Sequence, residues 1–162
     1  MRTTNALLLA LFASLLPACS GGNAKENVFK ALNSGDFAGA IAEFEKAMGT
    51  VEQGSSEHIE LAVGRCEALA HTDAIAAKDA MIVLVEEHSK SVDADDYGLV
   101  VSKMVDAKNF IPAIDLLHDG IENRFEDTSK LRSMIEKIRK MADDTGDAEV
   151  ANALGTLGYF GE

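Results

Sequence analysis

Four stretches of this 162-residue chain carry the same two marks at nearly the same interval. Asp36, Asp73, Asn109 and Asp147 are separated by 37, 36 and 38 positions, and each is a type that opens helices by accepting a bond from the first turn. Four residues after each stands an alanine, Ala40, Ala77, Ala113 and Ala151, and four further on come Phe44, Met81, Leu117 and Gly155. A small side chain recurring at one helical offset marks a point where two backbones cross closely. Repetition at a period of about 20–50 residues signals stacked units, none of which covers its own apolar face. The chain is therefore expected to fold as a succession of helical hairpins.

Hydrophobic spacing outlines those hairpins. In the first, helix A covers about Ala24 to Asn33, the chain turns at Ser34-Gly35-Asp36, and helix B runs from Phe37 to Met48 with Phe37, Ala40, Ile41, Phe44 and Met48 on one face. Gly35 suits the left-handed end of a helix and Asp36 the cap of the next. The second pairs about Ser56 to Ala70 with Ala74 to Ser89. The third aligns Tyr97, Val100, Val101, Met104 and Val105, then Phe110, Ile114, Leu117 and Ile121 after the turn. The fourth pairs Ser129 to Ala142 with Asp147 to Tyr159; its first helix buries Leu131, Met134, Ile135, Ile138 and Ala142 and exposes Lys130, Arg132, Lys137, Arg139 and Lys140.

Composition agrees with an all-α fold. Two prolines, no tryptophan and 6% aromatics disfavour a β-rich chain, and 47% hydrophobic residues are too many for a disordered one. The net charge of -12 excludes a nucleic-acid binder, which needs clustered cations.

The second helices resemble those of tetratricopeptide repeats, which begin after Gly-Asp-aromatic and continue with Ala-Ile, a large residue four positions on and a small one three later. Gly35-Asp36-Phe37, Ala40-Ile41, Phe44 and Ala47 follow that pattern, as do Asn109-Phe110, Ala113-Ile114, Leu117 and Gly120. Units two and four keep little beyond the acid and the alanine. The period is longer than the family's 34, Gly49 to Ser56 is a long connection, and the proline after helix B is missing. The resemblance implies a tetratricopeptide-like α-solenoid of about four hairpins over residues 24–162, with the A helices lining a concave surface that takes peptides or partner helices. In the family register that groove would include Phe29, Ala62, Cys66, Leu69, Leu99, Ser102 and Asp106, mostly apolar with little charge. The Lys and Asn set with which one subtype grips a C-terminal carboxylate is unmatched, since Lys25 is followed by Phe29 where asparagine belongs.

Residues 1–18 differ in kind. Arg2 precedes Ala6 to Ala18, an apolar run of 13 residues, shorter than the roughly 20 that cross a bilayer but right for the core of a secretory signal. Leu16-Pro17-Ala18-Cys19 resembles the lipobox of bacterial lipoproteins, although proline is unusual in its second position. The resemblance implies that Cys19 becomes an acylated N-terminus anchored in a membrane of the cell envelope. Ser20, in place of the aspartate that favours inner-membrane retention in enterobacteria, leans towards the outer membrane facing the periplasm. Residues 19–23 then read as a short tether. Without residues 1–18 the chain keeps 14 basic and 27 acidic residues, a net -13.

Remaining candidates for chemistry are sparse. Cys66 lies in the apolar series Ile59, Ala62, Val63, Cys66, Ala70 and reads as core, with no base signature beside it. His58, His71, His88 and His118 share no zinc-ligand spacing. Asp93, Asp95 and Asp96 lack the calcium-loop pattern and suit helix capping. Tyr159 and Phe160 either seal the last hairpin or form part of a docking surface. No catalytic residue, cofactor or metal is expected. Two functions follow: a membrane-anchored scaffold for an envelope protein or peptide partner, as in repeat-containing lipoproteins of pilus and outer-membrane assembly, or an envelope enzyme or small-ligand binder built around Cys66, His71 or the Asp93 cluster.

Overall fold

The computed structural model describes residues 21–159; the leader with Leu16-Pro17-Ala18-Cys19, and Phe160, lie outside the described residues. Within them the chain forms an all-α domain of eight helices packed mostly as sequential neighbours. These are α1 (Gly21–Ser34), α2 (Phe37–Met48), α3 (Ser56–Thr72), α4 (Ala74–Glu87), α5 (Ala94–Asp106), α6 (Phe110–Asp119), α7 (Ser129–Thr145) and α8 (Ala148–Thr156). One turn of π-helix, Gly120–Arg124, extends α6. None of these helices is long and apolar enough to cross a membrane.

Capping chemistry places the breaks. Asp36 accepts from Gly39 N, Asp73 from Ala76 N, and Asp147 from Glu149 N and Val150 N, each at 3.0–3.1 Å. Asp93 accepts from Asp95 N and Asp96 N while Asp96 accepts from Asp93 N, a reciprocal capping box that accounts for two of the three clustered acids. Asn109 departs from the expectation. It stands at the start of α6 but makes no cap bond there, and its Nδ2 donates instead to the Ala70 carbonyl at 3.0 Å, tying the third turn to the end of α3.

The turns inside three hairpins share a left-handed residue, Gly35 (φ 80°), Lys108 (φ 63°) and Gly146 (φ 69°). The amides of Asp36, Asn109 and Asp147 reach back to the carbonyls of Ala31, Met104 and Ala142, satisfying groups that a helix end would otherwise strand. The second hairpin needs no such residue, because Asp73 alone ends α3 and starts α4.

Packing follows two rows and one exception. The A helices α3, α5 and α7 lie against one another in turn, and so do the B helices α4, α6 and α8. The first hairpin instead presses α2 broadly onto α3, and α1 barely meets α3. Helix α3 consequently divides two apolar cores. Ile59, Ala62, Val63, Cys66, Leu69 and Ala70 join the larger core with α4–α8, while Leu61 and Ala68 join Val28, Ala40, Phe44 and Ala47 in a smaller one. Its spacing therefore holds a second stripe, Leu61, Gly64 and Ala68, beside the one expected. Gly64 is required there, since a Cβ would sit 2.5 Å from the Phe44 ring.

Ala40, Ala77 and Ala113 are fully buried, as the recurring alanine requires of a close crossing. Ala151 is only half-buried; α8 turns Val150 and Leu154 inward instead. The last hairpin thus packs one position out of phase with the other three.

Polar ties join successive units. The Tyr97 hydroxyl donates to Asp119 (3.0 Å), which also accepts from Arg124 Nε (3.0 Å), and Arg124 reaches Glu86 at 2.9 Å, so α4, α5, α6 and the π turn share one network. Lys130 of the basic α7 face pairs with Asp95 of α5 at 2.7 Å. Tyr159 folds back on the domain, its hydroxyl 3.1 Å from His118 Nδ1.

Candidate functional site

The seven residues expected in one groove fall in different places. Phe29 and Leu99 line an open cavity of about 300 Å³ between α1, α3 and α5. Ala62 and Cys66 line another, about 390 Å³, bounded by Met48 of α2 and by Val83 and His88 beside α4. Leu69 is buried in the larger core, Ser102 is half-buried and Asp106 is exposed, and none of the three borders either cavity. The separation is a matter of helical phase. At about 100° per residue, Ser56, Ile59, Glu60, Val63 and Glu67 share one side of α3, and His58, Ala62, Arg65 and Cys66 another.

The first cavity is apolar within, through Phe29, Ile59, Val63 and Leu99, yet three carboxylates border it: Glu60, Glu67 and Asp96. It is therefore more acidic than the groove foreseen from sequence. Glu67 is the one buried charged residue among the described residues, its side chain only 10% exposed. The nearest cation is Lys103 of α5, with Nζ 4.0 Å from Oε2, beyond hydrogen-bond distance. Burial pushes the Glu67 carboxyl above its ordinary range, and the Lys103 charge opposes that rise. Asp96 is likewise raised by burial, against the bond from the Asp93 amide. A signal for this face was present: Glu60, Val63 and Glu67 recur at i, i+3 and i+7, a mixed stripe easily taken for solvent-facing.

The second cavity holds little reactive chemistry. Cys66 is buried, and burial drives its thiol up to about 12 despite the neighbouring Arg65, so it stays protonated and a poor nucleophile at neutral pH. His58 Nδ1 is buried without a hydrogen-bond partner among the described residues. His71 lies elsewhere, stacked on Phe37 with ring centroids 3.9 Å apart; burial foremost, then Lys103, lowers its pKa, and Asp106 opposes. No group of three His, Cys, Asp or Glu side chains among the described residues is arranged to hold a metal ion.

No protein-family model, curated protein or solved structure matches the chain.

Proposed function

We propose that this chain is a lipid-anchored protein of the bacterial cell envelope that acts as a protein–protein interaction or assembly scaffold, through a tetratricopeptide-like solenoid of helical hairpins. The observation that carries the reading is the stacking of A helices on A helices and B helices on B helices from α3 to α8, beside an open cavity bordered by α1, α3 and α5. Stacked hairpins leave an extended surface of side chains from successive units, the surface that repeat proteins use for partners. The Gly35-Asp36-Phe37 and Asn109-Phe110 signatures support the family, and Leu16 to Cys19 supports the anchor. Several acyl chains at Cys19 would hold the protein on a membrane, where one holds only marginally; Ser20 favours the outer membrane, facing the periplasm.

Two measurements test this. Mass spectrometry of the mature N-terminus is expected to find acyl chains on Cys19, and an unmodified Cys19 refutes the anchor. Affinity purification from the host membrane is expected to recover an envelope protein in stoichiometric amount. Recovery of a bound small molecule in place of a protein would favour a ligand-binding role instead.

A further inference from the structure

We propose that the seam between the first hairpin and α3 is an acid-sensitive hinge, in which protonation of His58 and His71 loosens α1 and α2 while α3–α8 stay folded. On α3 the residues that meet α2 are Leu61, Gly64 and Ala68, with the Phe44 ring against Gly64. At about 100° per residue, His58 lies about 60° to one side of Leu61 and His71 about 80° to the other, so the two rings flank that stripe. They also stand at opposite ends of α2. His71 stacks on Phe37, the first residue of α2, with ring centroids 3.9 Å apart and planes within 4°. His58 shares a cavity with Met48, the last residue of α2.

His58 Nδ1 is buried and has no hydrogen-bond partner among the described residues. A protonated imidazole bears hydrogen on both nitrogens, so acid makes this atom a donor on a charged ring with nothing to receive it. Around the cavity stand Arg65 of the same helix, Asp79 and Glu87 of α4, and His88. Arg65, paired with Glu45 of α2, repels a second positive charge. Asp79 and Glu87 attract one, but Asp79 lies 3.5 Å from Lys78 and Glu87 4.0 Å from His88, and neither carboxylate accepts from Nδ1. At His71 the facing charges come from α5. Burial foremost and then Lys103 disfavour the cation, Asp106 favours it, and the balance lowers the pKa below the ordinary 6.5. The stability contributed by neutral His71 is therefore present above 6.5 and lost as pH falls through the folded value.

Little else holds the seam. The smaller core comprises six buried side chains, and the Arg65–Glu45 pair is partly exposed. Imidazoles change charge in a range where ordinary carboxylates remain ionised. Glu67 acts in the opposite sense, its raised carboxyl adding stability as pH falls, so it does not supply the loss. Opening exposes the Leu61, Gly64 and Ala68 stripe that α2 covers at neutral pH.

Native-state amide exchange on the whole chain, compared at about pH 7.5 and 5.5 and corrected for the intrinsic pH dependence, tests the hinge. Protection of the α1 and α2 amides is expected to fall about tenfold relative to α5 and α6 on acidification. A variant combining His58→Asn and His71→Phe, which keeps a polar atom and an aromatic ring without a titrating group, should lose no more than about twofold. Equal protection ratios at both pH values overturn the proposal. So does a loss shared evenly by all the helices, or a folded double variant that loses as much as wild type. Should the double variant fail to fold at neutral pH, the wild-type ring carbon resonances decide. Those of His58 and His71 should titrate over the pH range in which α2 protection is lost, and a loss that follows only His88 or His118 overturns the hinge.

Discussion

Lys108 does with a side chain what Gly35 and Gly146 do without one. Its φ of 63° is the one positive value at a non-glycine position among the described residues, and a left-handed L-residue costs about 1–2 kcal/mol. Glycine would remove that cost but lose more chain entropy on folding, roughly 0.5–1 kcal/mol. Lys108→Gly is therefore expected to stabilise the protein by about 0.5–1 kcal/mol in urea denaturation, and Gly146→Ala to destabilise it by about 1 kcal/mol. Glu67 gives a second prediction at this scale. Its carboxyl is raised in the folded protein above the ordinary value near 4.5, so between that value and its folded pKa the native state holds the proton more firmly than the unfolded chain. The resulting stability is present below the unfolded pKa and is lost as pH rises through the folded one. Glu67→Gln, which has no proton to lose, should gain on wild type in urea melts as pH rises from about 4.5 through the folded pKa and then hold a constant advantage, and a difference that does not change with pH would contradict the assignment.

At the scale of the element, the repeating alanine separates close crossings from a coincidence. Ala77 lies fully buried where α4 meets its neighbours, whereas Ala151 is half-buried because α8 is rotated to bury Val150 and Leu154. Ala77→Leu should therefore cost about 1–3 kcal/mol through overpacking, and Ala151→Leu no more than about 0.5 kcal/mol, read from thermal or urea unfolding. The helices themselves were legible: Phe37–Met48 starts and stops where capping residues and the apolar stripe place it. What local pattern could not reveal was the second stripe on α3. Leu61, Gly64 and Ala68 read as a weak face until Phe44 of the first hairpin is laid against them. Glu60 and Glu67 escaped notice for the same reason, since a carboxylate on a helix is ordinarily solvated, and only packing by α5 and its neighbours buries one of them.

Across the whole molecule the two cores are unequal. Five helices join α3 in the larger one, while the smaller consists of Val28 of α1, Ala40, Phe44 and Ala47 of α2, and Leu61 and Ala68 of α3. The Arg65–Glu45 pair at 2.9 Å also links α3 to α2, but it is partly exposed and contributes little. The first hairpin should open as a separate cooperative unit, its α1 and α2 amides exchanging hydrogen at lower free energy than those of α5 and α6. Native-state hydrogen exchange checks this, and uniform protection across α1, α2, α5 and α6 would contradict it.

Sequence by itself determined the local physics: which segments are helices, that Gly35 ends α1 in the left-handed region and Asp36 caps α2, that Cys66 is core, and that the chain is acidic. Those properties depend on residues within a turn or two of each other. Tertiary structure decided how helical phase sorts side chains among neighbours. It split four residues of the expected groove between two cavities and left Leu69, Ser102 and Asp106 outside both, buried Glu67 beside an open one, turned α8 out of register, and set Asn109 to the Ala70 carbonyl instead of its own helix. Each of these depends on a partner helix distant in the chain, whose angle and depth of approach no local spacing encodes.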